Sequence, residues 1–418
     1  MKKILDKNII KFGFYGFFKN LRFFEPYIYL YFLAIGLSYF EIGLIISIRE
    51  LSMYIFEIPT GFIADIWGKK KSMLLCFVLY IFSFVIYYFS YSFWLLAGAS
   101  VIFGLAEAFR LGTHKALIFD YLDEKEISDK KAQVYGFTRS ISLYGKALSA
   151  VIAAVLLIWL KNYHIIFLFS IIPYICAFIL LLTYPPERHS GREFKFSVIK
   201  EHIKDSFSNL LLVKQLRLIL INSAIFDGAF KASRDYIQPV IRNFIMAYPL
   251  LLMMENKHNR ETLLIALLYL LINIFGAFSS RLSHKLGNYC SNNETPLNYL
   301  FLGQALLLLG TGYFIDVNLY VVFILFLVLN IFSNLRRPLL LGCLVNEIED
   351  IQRATMLSIE SQLKSLTIVI LAPVLGLIAD TFSIRLMFVL LSAFLIILYL
   401  LALRLKVEEK EKVSNNIK

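Results

Sequence analysis

A run of about twenty consecutive apolar residues needs either a protein core or a lipid bilayer around it, and this chain presents one such run after another. They fall at 13–36, 41–63, 72–90, 93–118, 134–159, 163–184, 216–245, 261–282, 296–315, 318–343, 354–379 and 384–404. Of the 418 residues, 59% are hydrophobic and only 17% charged. A soluble domain of this length buries about three quarters of its surface at most, so much of this apolar material would be left in water. In lipid every backbone N–H and C=O must be satisfied within the protein, and runs of this length do so as helices. The expected fold class is therefore an all-α membrane protein with twelve transmembrane helices.

Lysine and arginine set the orientation. With the N-terminus inside, 25 of the 42 Lys and Arg lie on cytoplasmic loops and the tail, against 4 (Lys161, Lys257, Arg260 and Arg385) on the external loops. Both termini are expected in the cytoplasm, in a multi-pass protein of the cell membrane. The net charge of +12 is thereby assigned to the bilayer rather than to nucleic acid. The basic N-terminus runs into an apolar stretch that continues past Pro26 without a small-residue cleavage site, so it reads as a retained first span. Four scattered cysteines (Cys76, Cys176, Cys290, Cys343) show no CxxC spacing, and no metal, disulfide or cofactor is expected.

The polar stretch 185–215 divides the chain into two sets of six spans, 1–184 and 216–418, with 185–215 as a cytoplasmic loop. The halves echo each other. Segment 1 carries Lys19, Arg22, Glu25 and Pro26, and segment 7 carries Lys231, Arg234, Gln238 and Pro239. Segment 2 leads into GFIADIWGKKKS (Gly61–Ser72) and segment 8 into SSRLSHKLGN (Ser279–Asn288). Such repeats build midplane sites with alternating access in transporters. In Gly61–Ser72 the pattern Gly-x-x-x-Asp-x-x-Gly-basic-basic, met by Gly61, Asp65, Gly68, Lys69 and Lys70, resembles the loop 2–3 motif of the major facilitator superfamily. Ile66 stands where that motif is usually basic. Arg336–Gln362 also resembles the segment 10–11 connection of drug-efflux-like branches. The resemblance implies two pseudo-symmetric six-helix bundles, with the loop motif as a conformational latch. Departures are the missing Arg and Gln-Gly motif in segment 4, and Gly145-Lys146 where many exporters carry Gly-Pro. In physical terms, glycine at 61 and 68 permits tight approach and a sharp turn. Asp65 is placed to meet a helix N-terminus.

Ionisable residues inside spans are costly and face a bundle interior or a water-filled path. On segment 4, Glu107, Arg110 and His114 form one helical stripe with Lys115 beside it. Glu50 and Glu57 share a face of segment 2 beside Arg49, and Arg139 and Lys146 share one of segment 5. Asp227, Lys231, Arg234 and Gln238 form a stripe on segment 7, spaced for i,i+4 and i,i+3 pairs. Glu360 and Lys364 are spaced likewise on segment 11. Structural pairing is the expectation for Glu360, Lys364, Arg336 and Arg337, and cavity lining for segments 1, 4 and 7. An unperturbed imidazole titrates at about pH 6.5, which makes His114 a candidate for proton relay or substrate contact beside a structural role; Glu25, Glu57, Glu107 and Asp227 are the acidic candidates for proton coupling. The cations Arg22, Arg110, Lys115, Arg139, Lys146, Lys231 and Arg234 suit a solute with an anionic or zwitterionic group.

The expectation is a monomeric secondary transporter of a small polar solute, coupled to protons. Two alternatives stay open: proton-antiport efflux of amphipathic drugs or metabolites, and a membrane enzyme acting on lipid-linked substrates. The enzyme reading lacks paired carboxylates or metal-ligand spacing in an external loop. A sensor is a further possibility, for which no signalling domain is seen.

Overall fold

In the computed structural model, residues 6–186, 214–247, 256–287, 295–347 and 350–416 are described; most of the central polar stretch lies outside them. The described residues form helices and no strands. In chain order these are α1 (Lys7–Lys19), α2 (Ile28–Ile35), α3 (Tyr39–Trp67), α4 (Lys69–Phe89), α5 (Phe93–Arg110), α6 (Thr113–Glu124), α7 (Lys131–Leu160) and α8 (Ile165–Leu182). Then come α9 (Lys214–Arg234), α10 (Ile237–Ala247), α11 (Lys257–Gly287), α12 (Thr295–Phe314), α13 (Leu319–Glu347), α14 (Asp350–Thr381) and α15 (Ile384–Asn416). Each apolar run of the sequence corresponds to one helix or to a broken pair. The broken ones are segments 1, 4 and 7, the three with the densest charge. Segment 1 opens between α1 and α2 around Arg22 and a 3-10 turn at Glu25–Tyr27. Segment 4 opens at Leu111 and Gly112, where Gly112 takes φ +77°, and segment 7 opens at Asp235 and Tyr236.

Local signals account for the starts and stops. Asp6 caps α1, accepting from the Asn8 and Ile9 amides at 2.9 and 2.8 Å. Ser38 and Glu41 close a reciprocal capping box on α3, satisfying amides that the first turn leaves open. Gly68, at φ +96° and ψ 141°, makes the turn from α3 to α4, a conformation that costs a residue with Cβ far more.

The chain divides into two compact units: Met1–Glu201 with Ile241–Ile274, and His202–Val240 with Phe275–Lys418. Inside the first, α1 packs on α7, α4 on α5 and α8, and α3 on α5. Inside the second, α9 packs on α14 and α12 on α13 and α15. Segment pairs 1/5, 3/4 and 3/6 thus recur as 7/11, 9/10 and 9/12, so the echo seen in the sequence extends to helix packing. Close approaches need small residues: a Cβ on Gly145 would meet the Phe17 carbonyl, and one on Gly104 the Arg49 carbonyl. Backbone cannot step aside as a side chain can. Gly145→Ala is therefore expected to destabilise the first unit by about 1–3 kcal/mol, read as a lower melting temperature in detergent; an unchanged melt would show that α1 and α7 separate freely.

Nine helices among the described residues are long and apolar enough to cross a membrane. Segment 1 falls short because it is broken, segment 7 because Arg217, Asp227 and Lys231 interrupt the apolar window of α9, and segment 2 because Arg49, Glu50 and Glu57 interrupt its own. Segments 4 and 10 pass despite their charges, segment 4 across its break. Exposed aromatics mark the ends assigned to the outside: Phe89, Tyr91, Trp94, Trp159, Tyr313, Tyr320 and Phe382, as in an interfacial belt. At the opposite ends sit lysines. Lys70 Nζ donates to the carbonyls of Leu182 (3.0 Å) and Tyr184 (2.7 Å), and Lys11 Nζ to that of Thr183 (2.7 Å). These lysines satisfy carbonyls at and just past the end of α8.

Candidate functional site

The break in segment 1 puts Arg22 against the last turn of α5. At a rise of about 1.5 Å per residue, α1 reaches this point after roughly 20 Å and α5 after roughly 27 Å, so the charges gather where the two helices break off. Glu107 accepts from both Arg22 and Arg110, the latter at 2.9 Å through Nε. Arg22 Nε also donates to the Tyr174 hydroxyl at 3.1 Å, and that hydroxyl to the Lys19 carbonyl at 3.2 Å. The Phe103 ring lies between two guanidiniums, 5.5 Å from Arg22 and 6.0 Å from Arg49, within cation–π range. Lys19 is within electrostatic reach of Arg22, Arg110, Glu107 and Glu25. Lys146 on α7 pairs with Glu25 at 3.4 Å.

Four cations (Lys19, Arg22, Arg110, Lys146) thus surround two carboxylates (Glu25, Glu107). The Arg22 and Arg110 side chains keep 16% and 24% of their surface exposed and Lys146 keeps 33%, so the cations are not sealed in. Arg49 and Glu50, 3.6 Å apart, add a balanced pair at the edge. The hydroxyls of Tyr15 and Tyr80 are buried without a hydrogen-bond partner among the described residues, and both feel Arg110 and Glu107 electrostatically. The site has more positive charge and more hydrogen-bonding capacity than its own groups use.

Of the other candidates, His114 borders the cluster through Tyr15 and the rest lie away from it. His114 was expected on one stripe with Glu107 and Arg110; the turn at Gly112 takes it off that stripe. It stacks on Tyr15 (centroids 3.7 Å apart) with Nε2 3.1 Å from the Tyr184 hydroxyl. Lys115 is exposed and lies over the Phe119 and Tyr135 rings at 5.3 and 5.5 Å. Arg139 is exposed as well, and Glu57 is half-buried on α3. On segment 7 the expected Asp227–Lys231 ion pair does not form among the described residues: Lys231 is exposed, and Arg234 instead bonds the Asp235 carboxylate at 3.1 Å. In the loop motif, Gly61 has open space around it rather than a close neighbour. Gly68 supplies the turn, Asp65 is exposed, and Lys69 pairs with Asp120.

The second unit holds a polar group around Arg336, one of the residues for which structural pairing is the expectation. Arg336 lies well inside α13 and is 1% exposed. It donates to the Leu297 carbonyl at 3.1 Å and to the Asn222 side chain, and covers the Phe226 ring at 4.2 Å. Asn222 donates to Asn298 at 3.3 Å, and Ser223 to the buried Glu360 at 3.2 Å. The Leu297 carbonyl ties this group to the buried apolar cluster of Leu220, Leu297, Leu339 and Leu340, which supports a structural role. The sequence reading had also passed over Tyr15, Tyr80 and Tyr174; tyrosines inside spans that carry charge were the available signal.

Two broken helices thus meet at a cluster of partly open charges inside the first unit, and helix packing repeats in the second. The sequence matches the Major Facilitator Superfamily over residues 11–333. The chain belongs to that family: it is a multi-pass membrane transporter, not an enzyme. Similar solved structures include the nucleoside transporter NupG (11% identity, 96% of this chain and 99% of that one, TM-score 0.75). A POT family transporter in complex with 5-aminolevulinic acid is also similar (15%, 94% and 95%, TM-score 0.70), as is a D-xylose-proton symporter (13%, 93% and 95%, TM-score 0.60). No curated protein sequence matches significantly. The drug-efflux-like branch finds no support among these likenesses.

Proposed function

We propose that this transporter moves a small solute with an anionic or zwitterionic group across the cytoplasmic membrane, by proton-coupled alternating access. In this reading, two six-helix bundles (1–184 and 216–418) joined by the cytoplasmic loop 185–215 rock about the site, with both termini in the cytoplasm and a single chain as the working unit. Transporters of similar fold are named for nucleosides or D-xylose and protons, or hold 5-aminolevulinic acid; the fold does not choose the cargo and the side chains must. The observation that carries the proposal is the excess of cations around Glu107. Arg22 and Arg110 already hold one carboxylate between them, and a guanidinium fork recognises another carboxylate or a phosphate in the same way. Tyr15 and Tyr80 supply further donors, and Asp227, which makes no ion pair among the described residues, is the acidic proton-coupling candidate least committed to a cation. By the family resemblance, Gly61, Asp65, Gly68, Lys69 and Lys70 act as the conformational latch.

The test is counterflow and gradient-driven uptake in proteoliposomes, with carboxylates, amino acids, phosphate esters, neutral sugars, nucleosides and lipophilic cations as solutes. An acidic or zwitterionic solute is expected to exchange, and to accumulate when protons are driven inward. Exchange of neutral sugars or lipophilic cations alone would overturn the assignment. Accumulation against an inward proton gradient in the efflux direction would favour the antiport reading.

A further inference from the structure

The sequence puts the turn between α7 and α8 and the start of α11 on the external side, and the first compact unit brings the two together. Glu261, just past the first turn of α11, is 9% exposed. Its Oε1 accepts from the Tyr163 hydroxyl at 3.3 Å, the one hydrogen bond formed by its side chain among the described residues. Next to it, the Tyr27 hydroxyl donates to the Thr262 carbonyl at 2.8 Å. His258 lies edge-on to Tyr163 (centroids 5.4 Å apart), its Nε2 3.3 Å from the Leu157 carbonyl. Three contacts therefore tie the N-terminal end of α11 to segment 1, to the end of α7 and to the α7–α8 turn.

The charged and titratable groups facing this clasp come from every element around it. Arg242 on α10 acts on Glu261, Tyr163 and His258. Lys161, the cap of α7 at φ +50°, acts on His258, and Tyr27 feels Tyr163 and Glu261. In its bond to Glu261, the Tyr163 hydroxyl is the donor and the carboxylate the acceptor. Neither the cation cluster nor the loop motif has a use for Glu261. A buried carboxylate in a span is costly without a role, and Glu261 holds one ring hydroxyl and one distant arginine where a structural carboxylate collects several donors.

We propose that Glu261 is the external proton-binding carboxylate of this transporter, and that protonating it releases the clasp formed by Tyr163, Tyr27 and His258. Ionised, Glu261 accepts a charge-assisted bond from Tyr163 and is attracted to Arg242; protonated, it keeps at most a neutral hydrogen bond, about half as strong. Acid on the outside therefore opens the external end. The proposal rests on the alternating-access reading and its orientation, but its readout needs no solute.

Thr262 supplies the reporter. It is fully buried and its hydroxyl has no hydrogen-bond partner among the described residues, so Thr262→Cys leaves the observed contacts in place once Cys76, Cys176, Cys290 and Cys343 are replaced by Ser. A membrane-impermeant maleimide is added outside intact cells at acidic and at alkaline pH, with rates corrected for free-thiol reactivity. Labelling is expected to rise several-fold on acidification. Glu261→Gln should label fast at both pH values, and Tyr163→Phe should label faster at alkaline pH while still responding to acid. A parent rate independent of pH, or a Glu261→Gln profile that follows the parent, overturns the proposal. Labelling only after permeabilisation overturns instead the orientation beneath it. Absence of solute exchange alongside pH-dependent labelling sinks the anionic-solute reading and leaves the clasp standing.

Discussion

Arg110→Gln and Arg22→Gln are each expected to lower uptake of the transported anion by about 10- to 100-fold, while the protein still folds. The size follows from losing a hydrogen bond to a charged group, about 1.5–3 kcal/mol, at about 1.4 kcal/mol per factor of ten. Folding survives because Glu107 has two guanidiniums: removing Arg22 leaves Arg110 at 2.9 Å, and removing Arg110 leaves Arg22. Glu107→Gln behaves differently. It leaves Arg22, Arg110 and Lys19 facing one another without their shared counter-ion, and breaking a buried pair in this way costs about 3–5 kcal/mol. This variant should lose thermal stability as well as uptake. Lys115→Gln and Arg139→Gln serve as controls, since both side chains are exposed away from the cluster, and both should transport like the parent. Uptake and detergent melting of the five variants check this pattern. Equal losses in all five would mean that net positive charge, not the Arg22–Glu107–Arg110 bridge, carries recognition.

Much of the architecture was legible because bilayer thickness imposes one length on every apolar run, and the start of each helix falls within a few residues of its run. The breaks were not legible. A periodic reading assumes unbroken helices, so it carried the Glu107–Arg110 stripe through Gly112 to His114. The glycine was visible in the sequence, but its φ of +77° reflects tertiary packing. The cation cluster was half legible. Charge inside a span announced Arg22, Glu107, Arg110 and Lys146, whereas their partners on other segments required the fold. Segment 7 shows the limit of spacing arguments: Asp227 and Lys231 are four apart, yet Arg234 turns to its neighbour Asp235 at the break. Tyr15, Tyr80 and Tyr174 were passed over because a tyrosine in a span reads as apolar until its hydroxyl is placed.

Arg336 provides the second large effect, and it concerns stability. Arg336→Ala should destabilise the second unit by about 3 kcal/mol or more. The side chain is buried, so truncation leaves a cavity. It also leaves the Asn222 oxygen without its donor and strips the Phe226 face of its cation, and an orphaned buried polar group costs about 1–3 kcal/mol. Arg336→Lys should fall between: the charge and part of the volume remain, but an ammonium on a flexible stem does not reproduce the planar fork that reaches Asn222 and the Leu297 carbonyl together. The competing possibility is that Arg336 mirrors Arg110 as a solute ligand, since segments 4 and 10 occupy equivalent places in the repeat. The two roles separate cleanly in a paired measurement of melting and uptake. A structural arginine gives graded melting temperatures, parent above Lys above Ala, with uptake falling only as folded protein is lost. A ligand gives near-parental melting with uptake lost in both variants, and that result would return Arg336 to the transport pathway.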